Sequence, residues 1–167
     1  MNKERPHVFV LPEDDANRQL ANGFQLHHSL DTRRMQVLKE AGGWQEVVKC
    51  FKAEHIAEMD RNAKRFIVLL IDFDQKEGRM NEVQAEIPVR LKDRVFVLGV
   101  WSVPEELRQN LHRPYESIGS DMARDCRDNT EETWAHRLLC HNAIELERLR
   151  KHVRPILFPQ HPGKPGT

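Results

Sequence analysis

Three short apolar runs stand out from an otherwise polar chain: His7-Val-Phe-Val-Leu11, Arg65-Phe-Ile-Val-Leu-Leu-Ile71 and Arg94-Val-Phe-Val-Leu-Gly-Val100. Each is nearly continuous in β-branched, aromatic and aliphatic residues. A strand with one face in water would alternate apolar with polar. Unbroken runs suit strands covered on both faces, as in a parallel sheet. A fourth run, Val153-Arg-Pro-Ile-Leu-Phe158, contains Pro155, which cannot donate to a ladder, and reads at best as an edge strand.

Between the runs the spacing becomes helical. Residues 14–28 begin with acids, which suit the positive end of a helix dipole. Residues 31–41 form a second predicted helix, stopped by Gly42-Gly43. Residues 44–59 carry Val47, Val48, Phe51 and Ile56 at roughly helical spacing, and residues 104–110 open on proline followed by two glutamates. The longest predicted helix covers residues 129–152. Ala135, Leu138, Leu139, Leu146, Leu149 and Val153 mark its apolar face, and Asn129 with Glu132 forms a candidate capping box. The only strand candidate between the first two runs is Gly43–Val48. Strands alternating with helices predict an α/β, three-layer sandwich with a small, mainly parallel sheet. It forms a single domain over residues 1–158, and the proline- and glycine-rich tail, 159–167, is expected to be loose.

Composition narrows the class. A chain of 167 residues is the size of one domain and can bury a self-sufficient core. Lys plus Arg and Asp plus Glu are 26 each, which excludes an overall polycation while leaving room for a local basic patch. No apolar run approaches the roughly 20 residues of a membrane span, and the start, MNKERPHVFVLPEDD, lacks the form of a signal peptide. The odd set Cys50, Cys126 and Cys140, with no CxxC pair, argues against a disulfide framework or a structural zinc site. A reducing, cytoplasmic setting is the expectation, with the cysteines as small buried residues.

In parallel α/β sheets, ligands gather beyond the carboxyl ends of the strands. There the three strong strands deliver Glu13, Asp14 and Asp15, then Asp72 and Asp74, then Glu105 and Glu106. Crowded carboxylates repel by on the order of several kcal/mol at low effective dielectric. A divalent cation, basic partners or raised pKa values must offset this. Oxygen donors without cysteine or histidine point to Mg2+ or Mn2+.

Glu13 after the first strand, Asp72-Phe73-Asp74 after a later one and the acidic helix start Glu105-Glu106 after the next together resemble the TOPRIM domain. That domain is the Mg2+-binding module of topoisomerases, primases and nucleases related to the overcoming-lysogenization-defect family. The similarity spans about residues 7–110. It implies that Glu13 is the acid/base glutamate, that Asp72 and Asp74 are the metal-binding pair, and that Glu105 or Glu106 is a further acidic ligand. The resemblance also implies Mg2+-dependent phosphodiester hydrolysis of DNA or RNA, within a larger assembly such as a prokaryotic toxin or antiviral-defence system. This chain departs from the family's Glu-Gly-x-x-Asp motif, having Glu13-Asp14-Asp15-Ala16-Asn17. A second resemblance is to response-regulator receiver domains. Val8 to Leu20 looks like their opening, Asp72 or Asp74 would accept the phosphoryl group, and Ser102 would be the hydroxyl residue. On that alternative the protein is a receiver-like or scaffold module that binds a cation and a protein partner without catalysis.

A nucleic-acid backbone needs cations. Arg79, five residues after Asp74, is the favoured contact, with Lys64, Arg65 and Arg94 as further candidates. Trp44 and Trp134 read as core, whereas Trp101, beside the acids, could also stack on bases. His27-His28 and His136 with His141 read as structural, and a homodimer is compatible with the charged face of the last helix.

Overall fold

Parallel pairing of four strands sets the frame of the computed structural model, which describes residues 1–159. The strands are β1 (His7–Pro12), β2 (Met35–Val37), β3 (Arg65–Leu70) and β4 (Val95–Leu98), in the order β2-β1-β3-β4. Phe9 lies opposite Ile67, and Ile67 opposite Val95. Side chains alternate across the pleat with period two. Val8, Val10, Val68, Leu70, Phe96 and Leu98 therefore enter one apolar cluster, and Phe9, Leu11, Ile67, Leu69, Val95 and Val97 enter the other. Both faces are covered, which is why the runs are continuous in sequence.

The helices, in chain order, are α1 (Asp15–Gln25), α2 (Trp44–Cys50), α3 (Ile56–Arg61), α4 (Arg79–Ala85), α5 (Pro104–Leu111), α6 (Tyr115–Asp128), α7 (Ala143–His152) and α8 (Arg154–Leu157). A π-helical segment, Phe51–His55, joins α2 to α3. Leu20, Leu107, Ile118, Leu146 and Leu157 bring α1, α5, α6, α7 and α8 onto the first face, while Val47, Met59 and Val83 bring α2, α3 and α4 onto the second. The protein is a three-layer α/β sandwich. Among the described residues no helix is long and apolar enough to cross a membrane.

Four local expectations are corrected. Residues 31–41 are not a helix: a 3-10 turn at Thr32–Arg34 leads into β2. Gly43–Val48, the candidate strand, instead opens α2. The edge strand β2 has three residues with one buried side chain, Met35, too little for periodicity to register. The long helix at 129–152 is replaced by a turn region that follows α6, a 3-10 turn at Cys140–Asn142 and α7. Asn129 is not an N-cap but a left-handed C-cap of α6 (φ 57°). The buried Asp125 carboxylate then organises the turns after α6, accepting from Thr130 Oγ1 (2.6 Å), the Thr133 N–H (2.7 Å) and the Trp134 N–H (3.2 Å). Val153–Phe158 is no strand, because Pro155 sits in the first turn of α8. The expected loose tail, apart from Pro159, lies outside the described residues.

The edge of β4 is closed by side chains rather than by another strand. The Val97 N–H donates to Glu145 Oε2 (2.8 Å), the Gly99 N–H donates to Asn142 Oδ1 (3.2 Å), and Asn142 Nδ2 donates back to the Gly99 carbonyl (2.9 Å). Buried backbone groups are thereby satisfied and the edge is withheld from other chains.

On the first face, α1 and α6 cross with backbones almost touching. A Cβ on Gly119 would lie 2.0 Å from the Leu20 carbonyl oxygen, and one on Gly23 would lie 2.1 Å from the Glu116 oxygen. These atoms belong to helix backbones and cannot yield cheaply. Gly119→Ala should therefore lower unfolding free energy by about 2–3 kcal/mol, against about 0.5 kcal/mol or less for Gly78→Ala, where a Cβ meets open space. Equal urea midpoints for the two variants would refute the close crossing.

Candidate functional site at the carboxyl edge of the sheet

The side on which strands are added switches at β1: from β1 the polypeptide goes to one side to make β2, then to the other to make β3. Such a switch point opens a crevice beyond the carboxyl ends of its two strands. Glu13 leaves β1 on one flank and Asp72 leaves β3 on the other. Glu13 is held by its backbone, its N–H donating to the Leu70 carbonyl (2.9 Å) and its carbonyl accepting from the Gly42 N–H (2.8 Å). Its side chain crosses the crevice, where Glu13 Oε2 accepts the Asp72 N–H at 2.6 Å, joining residues 59 positions apart.

The Asp72 carboxylate is buried and is oriented by Asn17, in the first turn of α1. Asn17 Nδ2 donates to Asp72 Oδ1 (2.7 Å) and to Asp14 Oδ1 (3.0 Å), while the Asn17 N–H donates to the same Asp14 oxygen (2.9 Å). Asp14 is therefore the N-cap of α1 and also part of the acidic group. Beyond Asp72 the chain turns through Asp74 (φ 48°) and Gln75 (φ 57°), two left-handed residues without glycine. The turn is tied to the extension of β4, as the Gln75 N–H donates to the Trp101 carbonyl (2.8 Å). Arg79, at the start of α4, donates to the Asp72 carbonyl (3.0 Å), pairs with the Asp74 carboxylate and lies over the Trp44 ring, 4.6 Å from its centroid.

Burial is the main reason that the Asp72 carboxyl is pushed up to about 8; Glu13, Asp14 and Asp74 add to the rise, and the Asn17 amide opposes it. Burial also raises Glu13, opposed by the Asp72 N–H and by Arg79, and reinforced by Asp14 and Asp74. Arg79 reaches Asp72 through its backbone oxygen, so its charge is spent mainly on Asp74.

The remaining acids are placed less centrally. Glu106 pairs with Arg137 (3.0 Å), and the neighbouring Ser102 hydroxyl and this pair hold it below the usual carboxylate range. Glu105 is exposed; its charge, with those of Asp14 and Asp72, raises Tyr115, whose burial is the larger cause. Neither Tyr115 nor Asn17 stands out in the sequence as a site residue. Asn17 registers there only as a departure from a motif, and Tyr115 belongs to α6, whose apolar period is hidden among serine, glycine and aspartate.

Three of the four candidate nucleic-acid contacts lie at the wrong end. Lys64 precedes β3, Arg65 begins it and Arg94 precedes β4, so all three sit at the amino edge of a parallel sheet, opposite the acids. Arg65 is buried over the Phe9 ring (4.6 Å), Lys64 Nζ donates to the Glu4 carbonyl (2.6 Å), and Arg94 donates to the carbonyls of Met59, Asn62 and Arg65 (3.0–3.2 Å). They stitch the fold. Of the four, Arg79 alone joins the acids.

Trp134 is core, donating to the Met122 carbonyl (3.0 Å), while Trp101 stacks on Phe73 (6.3 Å between centroids). His141 packs edge-on against Phe73 and is pushed down to about 4 by burial. Cys126 is buried but Cys140 is exposed and Cys50 half-buried, against the expectation for all three.

Among the described residues, one group of three or more potential metal ligands has its donor atoms all within 4.8 Å of one another, and it is Cys50, Glu54 and His55. Glu13, Asp72 and Asp74 are more widely spread, Asp74 being held by Arg79. No family model, curated protein or solved structure matches this chain.

The raised Asp72 carboxyl has a sign that can be tested. A group that binds its proton more tightly when folded supports the fold fully below its unfolded pKa. That support is lost as pH rises towards the folded value. For Asp72 the window runs from about 4 to about 8. Asp72→Asn keeps an oxygen for Asn17 and should raise Tm over the parent by a margin that grows across this window and then levels. A margin equal at pH 4 and pH 8.5 would show that Asp72 is not the destabilising charge.

Proposed function

We propose that this protein is a Mg2+-dependent phosphodiesterase acting on nucleic acid, with its site at the β1/β3 switch point. The observation that carries the reading is the Glu13–Asp72 contact. The Glu13 carboxylate accepts the backbone N–H of Asp72, a residue from a distant segment whose own carboxyl group is buried, and the charges of Asp14 and Asp74 act on both. Among the described residues no basic side chain pairs with the Asp72 carboxylate.

A hard divalent cation fits the donor set, because every candidate ligand is a carboxylate oxygen and the buried Asp72 charge lacks compensation. The spread of the acids favours an ion that keeps several waters, as Mg2+ does. Asp72 and Glu13 would hold it with help from Asp14, and the ion would supply charge stabilisation at a phosphoryl oxygen and a more acidic bound water. Glu13, raised by burial, is suited to take a proton from the attacking water. Asn17 keeps the Asp72 carboxylate turned into the crevice. Arg79, fixed by Trp44 and Asp74, is the cation placed to meet a phosphate at this edge.

One observation favours a second reading. The order β2-β1-β3-β4 is the start of the doubly wound order used by receiver-type folds, with Ser102 after β4 as a hydroxyl residue would be there. On that reading Asp72 accepts a phosphoryl group and a protein partner reads its state.

Plasmid DNA, single-stranded DNA and RNA incubated with Mg2+, Mn2+ or EDTA separate the two. The nuclease reading expects metal-dependent cleavage reduced at least about 100-fold by Glu13→Gln and by Asp72→Asn, and near-parental in Glu106→Gln, whose side chain is engaged with Arg137. Cleavage that survives both changes, or none with either metal, overturns it. Labelling by a small phosphodonor that disappears in Asp72→Asn would establish the receiver reading instead.

A further inference from the structure

The helical layer opposite α1 contains a group of side chains that the carboxylate site does not use. Between α2 and α3 the helix widens into a π turn, in which the Ile56 N–H donates to the Phe51 carbonyl, five residues back. In an α-helix, residues five apart point in different directions, at about 100° per residue. The wider turn lets residues i+4 and i+5 both stand beside residue i. Here residue i is Cys50, and Glu54 and His55 stand beside it, with one donor atom from each all within 4.8 Å of one another.

His55 is the decisive member. It is 8% exposed, and neither ring nitrogen has a hydrogen-bond partner among the described residues. Buried imidazoles ordinarily satisfy at least one nitrogen, so a ring left unpartnered beside a thiol and a carboxyl lacks a ligand. Its only ring neighbour among the described residues is Phe9, tilted at 6.2 Å, which offers no acceptor. The Cys50 thiol donates to Glu54 Oε2 at 3.4 Å. An open groove bounded by Leu11, Leu38, Lys39 and Lys49 runs past the three side chains and leaves room for a further ligand.

We propose that Cys50, Glu54 and His55 form a Zn2+-class metal site, with the π turn as its scaffold and water in the fourth position. One sulfur, one imidazole nitrogen and one carboxylate oxygen suit a borderline-soft ion that accepts tetrahedral geometry, and do not suit Mg2+. Ligands at about 2.0–2.3 Å from Zn2+ stand roughly 3.5 Å apart, so rotamer adjustment of the two outward side chains closes the site without moving the buried ring. Binding replaces the S–H bond of Cys50 with a metal–sulfur bond, and the proton leaves to solvent. The site shares no residue with the acidic crevice, so it stands or falls independently of the phosphodiesterase reading.

Co2+ titration of the full chain under reducing conditions tests it. The expected result is one equivalent bound, with near-ultraviolet thiolate-to-metal charge transfer and the visible bands of a tetrahedral ion, all displaced by Zn2+ and unaffected by Mg2+. Cys50→Ser should remove the charge transfer, and Glu54→Gln should weaken Zn2+ binding at least about 10-fold. Both positions are part-exposed, so these variants should fold. Cys140→Ser, which alters an exposed cysteine elsewhere, should leave the signal intact. Absence of charge transfer in the parent, its persistence in Cys50→Ser, or its loss in Cys140→Ser overturns the assignment.

Discussion

Parallel pairing of β1 with β3 is the constraint on which the rest depends. Because the two strands run the same way in register from His7–Arg65 to Pro12–Leu70, the residues just past each must meet at one edge. Those residues include a glutamate and an aspartate, joined by the Asp72 N–H to Glu13 hydrogen bond. The hydrophobic ladder behind them, including fully buried Ile67 and Leu69, drives two acids together that would separate if free. Burial first, and then the neighbouring acids, raise the affinity of Asp72 for its proton, pushing it up to about 8. A group held this far from its ordinary state in a crevice is a functional candidate with a physical rationale, since ion binding or proton transfer would relieve the same unfavourable burial of charge.

The two edges of the sheet are divided by charge. At the amino edge Arg65 and Arg94 are consumed by an aromatic face and by backbone carbonyls, closing the strand starts. At the carboxyl edge the acids dominate, and Arg79 is immobilised by Trp44 and Asp74. Basic residues near one another in sequence thus do different work, because the two ends of each strand face opposite sides of the molecule.

Elsewhere the fold accepts local irregularity where it serves a contact. Left-handed Asp74 and Gln75 turn the β3 loop back towards β4. A π turn breaks the long helix on the second face just where a buried histidine lacks a partner among the described residues. The absence of any CxxC pair argues against a zinc site, yet a Cys-x-x-x-Glu-His spacing becomes a compact donor set once one helical turn is wider than usual.

Much is legible from residue order alone. The three continuous apolar runs specify buried parallel strands, and the acids just after them specify which edge gathers the carboxylates, since strand direction and burial follow from local pattern. The short β2, the helix α6 and the Asp125 turn are not legible. β2 is three residues long and gains its place only from pairing with β1. Tyr115–Asp128 carries the glycine that close contact with α1 demands, and so resembles a loop when read by itself. Asn129 misleads because α6, the helix it ends, does not register by period, and Val153–Phe158 misleads because Pro155 opens a helical turn there rather than interrupting an edge strand. Tertiary structure alone decided that Asn17 orients Asp72, that Lys64, Arg65 and Arg94 stand away from the acids, and that Cys50, Glu54 and His55 converge. Each of these depends on distance in space between groups, or on a helix widening by one residue, and neither quantity is written in local periodicity.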